Sequence, residues 1–524
     1  MSFKEASELR KSGKLVEALD MAFQDLQKEP DNIWCKRSVA WVYYDYLKAN
    51  KEAENFDVFY GYLIKIKELE LPEAEKMLFD QCAWQVGLMV FSLCRLDEEN
   101  SKNDDKKKFS FYSVSKDLEK KVYSLFEIVK TFHFTKPGEG YSFLFKALNK
   151  ALKDTDSYIE VADWWGFDNF RMEDYLKEEV NGKFIMSLAE QTYIAYAKRL
   201  IEGEFTGGDI QFRELNREKI NGFLPKLDKL ITEHPKLLYP EFFKAKLLLA
   251  LGDNENVLEH FLPFAIRKRN DFWVWDLLSD IFPKDDIRKI ACLCKALTCK
   301  TQDSFLVKIR QKLATLLIQA NQYVEAKTEI ENIIATRNSN NWPIKGEILQ
   351  WQSQNWYKET TSQTDNQSFY QSLLNVADEI LYSNIPEEIV AVEFVNSDKK
   401  MLNFVASKTL NGFFYYGDHL SKVSIGDILK VRFKENSQEK HYRIFTAKVV
   451  DEEVDIEAIK DFSGDLHIIH NINIGFAEDV FIDSNTINNN GLQDKQSVKG
   501  KAILSYNKKK EEWGWKAIEV NVNP

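Results

Sequence analysis

Cysteine, histidine and proline are all scarce in this chain of 524 residues, at six, seven and eleven. Six cysteines over such a length make no disulfide framework, which excludes the stapled secreted class and agrees with a reducing compartment. Long apolar runs are missing as well. No stretch approaches the ~18 consecutive apolar residues of a membrane span, and Lys4, Glu5, Glu8 and Arg10 break any signal-peptide pattern in the first ten residues. The expectation is a cytoplasmic chain without a membrane partner.

Catalytic signatures are equally absent. There is no Gly-x-x-x-x-Gly-Lys-Ser/Thr loop, no Gly-x-Ser-x-Gly elbow and no His-Glu-x-x-His helix. Carboxylates abound, but no pair stands out as acid and base. Cys292-x-Cys294 with Cys299 lacks a fourth ligand nearby and lies on an apolar helical run, where Cys292 and Cys299 share a face, so it reads as core packing. His467 and His470 have no cysteine or third histidine beside them. No catalytic residue, metal or cofactor is therefore assigned, and the chain reads as non-enzymatic.

Positive charge is also in short supply, with 71 basic against 82 acidic residues and a net charge of −11. That balance argues against a protein that coats duplex nucleic acid by bulk electrostatics. The acidity is uneven. From Ile389 onward 18 Lys and Arg face 20 Asp and Glu, so most of the excess lies upstream.

What fills residues 1 to about 385 is helix after helix: apolar residues recur at three and four, proline is sparse, and β-type alternation is nearly absent. Ala6, Leu9, Gly13, Leu15, Ala18, Leu19 and Pro30 fall at tetratricopeptide spacing. Small residues let two antiparallel helices approach, the glycine closes the turn and the proline stops the second helix. The spacing returns at Leu313, Ala314, Leu317, Asn321, Tyr323 and Ala326, and less fully at Ala245, Leu248 and Gly252. Trp275, Leu278 and Ser279 begin another imperfect unit. These segments resemble tetratricopeptide repeats, which implies an α-solenoid with a surface for a protein partner; the alternative is a plain helical bundle.

Between Lys76 and Ile231 the repeats degrade. The charged run Asp97 to Lys108 reads as a solvated loop, and Gly203, Gly207 and Gly208 supply turn chemistry after a helix ending near Glu202. The aromatic stretch Asp163 to Tyr175 reads as a packed corner between helices, with Asp174 among the acids near the next helix start. It stays open as a groove for a peptide or base, or as an enzyme site. A further helical stretch, Trp342 to Asn384, is interrupted by the polar run Glu359 to Ser368, and Ile385-Pro386-Glu387-Glu388 marks the hand-over to strands.

Beyond it, two nine-residue segments share one pattern: Gly412 to Leu420 and Asp479 to Ile487. In a strand, alternate side chains face opposite ways, so Phe414 with Tyr416 and Phe481 with Asp483 should share a face. Both segments resemble the Asp-Val-Phe-Val-His-x-Ser-x-Ile strand of cold-shock domains. Lys400-Met401-Leu402-Asn403-Phe404-Val405 and Ile474-Gly475-Phe476-Ala477 resemble that family's Lys-Gly-Phe-Gly-Phe-Ile strand. Leu402 and Ile474 stand where the family has an aromatic, and Asp483 where it has histidine.

The resemblance implies two tandem five-stranded OB-type barrels that present aromatics to single-stranded RNA or DNA. Carried over, the stacking residues would be Phe404, Phe414 and Tyr416 with Lys400 in the first barrel, and Phe476 and Phe481 in the second. Trp513 and Trp515 in the tail, with the basic run Lys508 to Lys510, would add to the second. An acid at 483 repels phosphate and makes the second barrel the weaker candidate.

The reading is thus a multidomain chain, an α-solenoid (tetratricopeptide-like) followed by all-β tandem small OB-type barrels. The expected segments are tetratricopeptide-like helices at 1–75, a divergent helical region at 76–231, tetratricopeptide-like helices at 232–385, and cold-shock-like barrels at 386–455 and 456–524. The helices would hold an unidentified protein partner and the barrels single-stranded nucleic acid, RNA favoured. The alternative is an adaptor whose barrels bind protein. The combination resembles components of bacterial conflict or defence systems.

Overall fold

The computed structural model describes residues 3–103, 114–180, 182–205, 213–344, 346–417, 419–436, 441–450, 454–469, 471–507 and 510–523. The charged run Asp97 to Lys108, read from sequence as a loop, is helical as far as Asn103, because the helix Lys76–Asn103 runs on into it; 104–108 lie outside the described residues, as do Gly207, Gly208, Asp418, His470, Lys508 and Lys509. The chain divides into two compact units, Met1–Lys289 with Cys299–Asp365, and Ile290–Thr298 with Asn366–Pro524.

The first unit is α-helical, with two small ribbons: β1 (Glu178–Val180) with β2 (Lys183–Ile185), and β3 (Glu204–Phe205) with β4 (Arg213–Glu214). Three helix hairpins turn by the same device. Phe3–Lys11 and Leu15–Lys28 are joined through Gly13, Tyr239–Leu251 and Asn254–Arg267 through Gly252, and Asp303–Gln319 and Tyr323–Ser339 through Asn321. All three joints are left-handed, with φ of 79°, 82° and 58°. In each, the next N–H reaches back to a carbonyl five residues earlier (Lys14 to Leu9, Asp253 to Leu248, Gln322 to Leu317), satisfying an acceptor the ending helix leaves open. Ala6, Ala18, Ala314 and Ala326 are buried where the paired helices meet.

The helix Lys76–Asn103 supplies much of the core of this unit. Within Glu73–Ser101, one window is long and apolar enough to cross a membrane by composition, yet 67% of it is buried inside the fold. Asp80, Gln81 and Gln85 interrupt the apolar run, which is why a count of consecutive apolar residues passes over it.

The aromatic corner packs. Trp165, Phe167 and Phe170 are buried, and Trp165 stacks on Phe145 at 4.4 Å and on Tyr141 at 4.3 Å between ring centroids. Asp174 does not lead into an α-helix. It is buried at the one-turn helix Met172–Tyr175, accepting from the Arg171 N–H at 2.9 Å and the Ser142 hydroxyl at 2.7 Å.

In the second unit, the first β domain is an antiparallel sheet in the order β7-β6-β5-β8-β9. Its strands are β5 (Glu388–Asn396), β6 (Met401–Val405), β7 (Asn411–Tyr415), β8 (Ile428–Asn436) and β9 (His441–Val449). The second is a closed barrel of β10 (Ile459–Ile469), β11 (Ile474–Ala477), β12 (Val480–Ile482), β13 (Ser497–Asn507) and β14 (Glu512–Val522). Its order, β10-β11-β12-β14-β13, with β12 and β14 parallel and a short helix Ser484–Asn489 between β12 and β13, is the OB arrangement. The first domain has the same order of connections, but among the described residues its edge strands β7 and β9 share no backbone pairing. Tyr442 bridges its open side, lying so close over Gly412 that a Cβ there would sit 2.6 Å from the ring.

The helix Gln367–Tyr382, read from sequence as the last of the helical region, groups with the strands. Arg432 on β8 holds it. That guanidinium donates to the Tyr382 and Ile385 carbonyls at the helix end, to both carboxylate oxygens of Glu379 at 2.8 Å and to Glu387. A planar fork of donors can satisfy a helix C-terminus and two carboxylates together. Tyr382 also packs on Phe445, with ring centroids 5.3 Å apart.

Candidate nucleic-acid interface

In the closed barrel the short strands β11 and β12 alternate cleanly. Gly475, Ala477, Val480 and Ile482 face inward, and a Cβ at Gly475 would meet Leu466 at 2.6 Å. Phe476 and Phe481 therefore face outward, directly opposite one another, with ring centroids 5.6 Å apart. On one side Phe476 pairs with His467 of β10, and on the other Phe481 pairs with Lys516 of β14. The result is an outward row of imidazole, two phenyl rings and ammonium across four strands.

Asp483 closes this row electrostatically. The segment Asp479 to Ile487 is not one strand, because β12 ends at Ile482 and Asp483 caps the helix Ser484–Asn489. Its carboxylate accepts from the Thr486 N–H at 2.9 Å and hydroxyl at 3.0 Å, and lies 3.4 Å from the Lys516 ammonium. Burial alone would raise this carboxyl, but those Thr486 bonds and Lys516 outweigh it and hold the group below the ordinary carboxylate value.

Trp515 and Trp513 are half-buried rather than free platforms. Trp515 packs against the barrel core with the Lys460 ammonium 4.7 Å from its ring centre, and Trp513 lies against Tyr506 at 5.3 Å.

The first domain reverses the face expected from sequence. Phe404, Phe414 and Tyr416 are 1%, 0% and 6% exposed and form its core with Val390, Leu402 and Leu429. They cannot stack on a base while the domain is folded. The strand β6 carries polar Asn403 between apolar Leu402 and Phe404, so Leu402 and Phe404 take the interior, and pairing of Leu402 with Phe414 carries Phe414 inward too. The outward residues are Phe413 and Tyr415, next to His441. Phe413 lies 6.0 Å and Tyr415 6.5 Å from the imidazole, and Tyr415 is 55% exposed. Asn403 pairs with Phe413 and Met401 with Tyr415. Lys400 is exposed at the head of β6, in a left-handed turn with φ of 47°, and its aliphatic stem lies against Gly417.

Residues 382–445 match the family model described as S1/CSD-like domain 1 of the TOTE conflict systems, and residues 460–520 match S1/CSD-like domain 2 of the same systems. The C-terminal pair belongs to these domain families. Upstream, residues 238–377 match a family described only as a domain of unknown function. No curated protein matches the chain.

The S1/CSD-like assignment makes these β domains OB-type binding modules in a conflict setting, and it gives the outward aromatics their chemical sense. Within the second S1/CSD-like domain, the sequence motif and the structure agree on which aromatics face out. Within the first, Gly412 to Tyr416 holds aromatics at both parities, so only the polar Asn403 on the partner strand signals the true face. The earlier ranking of the two domains also weakens, since the second presents its motif aromatics and the first buries them.

Outside the S1/CSD-like pair, Cys292 and Cys294 are buried in an apolar helix and Cys299 follows its end. Of the two histidines, His467 is exposed in the outward row and His470 is outside the described residues.

Proposed function

We propose that this chain is a non-catalytic binding component of a conflict system, whose S1/CSD-like pair holds single-stranded nucleic acid while its helical unit holds a protein partner. The outward row His467, Phe476, Phe481 and Lys516 carries this reading. Aromatic faces between an imidazole and an ammonium grip a strand by stacking, which tolerates any base, and by polar contact with the backbone. Phe413, Tyr415 and His441 supply a second such patch. RNA is favoured over DNA, because Asn403 and His467 stand beside the aromatics, where a 2′-hydroxyl finds a partner. In the helical unit, the hairpins joined at Gly13, Gly252 and Asn321 carry tetratricopeptide spacing, and we assign them the protein-binding role. The site of action is the cytoplasm.

The test is titration of fluorescent single-stranded RNA and DNA of one sequence with the full chain and with Phe476→Ala/Phe481→Ala. Each stacked base contributes about 1–3 kcal/mol, so the double variant should lose at least roughly tenfold in affinity. Binding untouched by it would remove the row from the interface. No binding to any strand, together with retained protein capture, would favour an adaptor, a reading that the near-neutral charge from Ile389 onward supports.

A further inference from the structure

The two S1/CSD-like domains do not sit side by side as independent beads. Ala391 of β5 and Val405 of β6 form one buried cluster with Ala458, Ile503 and Leu504 of the second domain. Around it, the Ser505 hydroxyl donates to Glu393 at 2.5 Å and the Leu504 N–H donates to the Ala458 carbonyl at 2.9 Å. Buried apolar contact plus satisfied polar groups makes a seam packed like a domain interior.

The strand register shows where this seam lies relative to the two aromatic patches. In the second domain the outward row runs His467, Phe476, Phe481, Lys516, and the residue paired with Lys516 on the next strand is Ile503. Ile503 is itself in the seam. In the first domain, Val405 shares its face of β6 with Asn403 and Met401, since side chains two apart point the same way. Asn403 pairs with Phe413 and Met401 with Tyr415. The seam therefore joins the end of one row to the end of the other: Phe476, Phe481 and Lys516 lead to Ile503, which shares the buried cluster with Val405, and Asn403, Phe413 and Tyr415 follow.

We infer that the two patches form one composite track, occupied by one single strand of nucleic acid that crosses the seam, rather than two separate sites. This rests on the proposed strand binding and adds its stoichiometry and minimum length. A seam that fixes both patches in one body removes the freedom that two linked beads would have, so the second patch meets an already held strand at high effective concentration.

The experiment uses the full chain and two homopolymeric oligonucleotides, one of about 6 and one of about 24 nucleotides, against the ~4–16 nucleotides that a single OB fold covers. The expected result is one long strand per chain, bound roughly a hundredfold or more tighter than the short one. Tyr415→Ala and Phe481→Ala, on opposite sides of the seam, should each weaken the long strand and erase most of its advantage over the short. Equal affinity per site for both lengths, or two long strands per chain, overturns the composite track while leaving strand binding intact. Absence of binding at both lengths overturns the function on which it rests.

Discussion

Alanine at Phe414 and alanine at Tyr415 should have opposite consequences, although the two residues are neighbours on one strand. Phe414 is fully buried among Leu402, Phe404 and Leu429, so its removal loses the transfer free energy of a phenyl ring and leaves a cavity, about 3–5 kcal/mol. For a cooperative unit of this size that is a drop in melting temperature of roughly 10 °C. Tyr415 is 55% exposed on the outer face, so its truncation should move stability by no more than about 0.5 kcal/mol. If it stacks a base, affinity falls by about 1–3 kcal/mol, roughly 5- to 150-fold. Thermal melts and oligonucleotide titrations of both variants measure this directly. A Phe414→Ala protein that melts like the parent but no longer binds, with Tyr415→Ala silent in both assays, would show that the face assignment is inverted.

Arg432→Ala should loosen the helix Gln367–Tyr382 from its sheet. The side chain is 10% exposed and bonds two carboxylates and two carbonyls, so the loss should be about 2–4 kcal/mol, read as faster amide exchange confined to that helix and β8. Asp483→Asn keeps a capping acceptor for Thr486 but removes the charge beside Lys516, so strand binding should strengthen by a few-fold and its salt dependence steepen slightly. In acid, the stabilising effect of Asp483 is complete above the ordinary carboxylate pKa of about 4 and is lost as pH falls through its lower folded value. The parent should therefore lose stability relative to Asp483→Asn in melts below about pH 4. For the whole chain, a row with so few cations predicts a shallow salt slope, about −0.7 per phosphate neutralised, in titrations at two ionic strengths.

Local chemistry was enough to read much of this protein. The helical spacing around Gly13, Gly252 and Asn321 locates three hairpins because a left-handed residue between two apolar periodicities has few other uses. The strands after Ile389 are legible because alternation and two motif-like segments coincide there. Phe476 and Phe481 are readable as outward residues because Gly475, Ala477, Val480 and Ile482 leave only one parity for the core.

Tertiary packing decided the rest. At Gly412 to Tyr416 either parity is apolar, and only the pairing of β6 with β7 selects Phe414 for the interior and Tyr415 for the exterior. Asp483 looks like a strand residue until the turn to the following helix makes it a cap. The grip of Arg432 on a helix end some fifty residues earlier leaves no local trace in the chain. Neither does the seam of Ala391, Val405 and Ile503, where residues more than a hundred positions apart meet. Periodicity records which residues avoid water, but which surface removes the water is settled only when distant strands arrive.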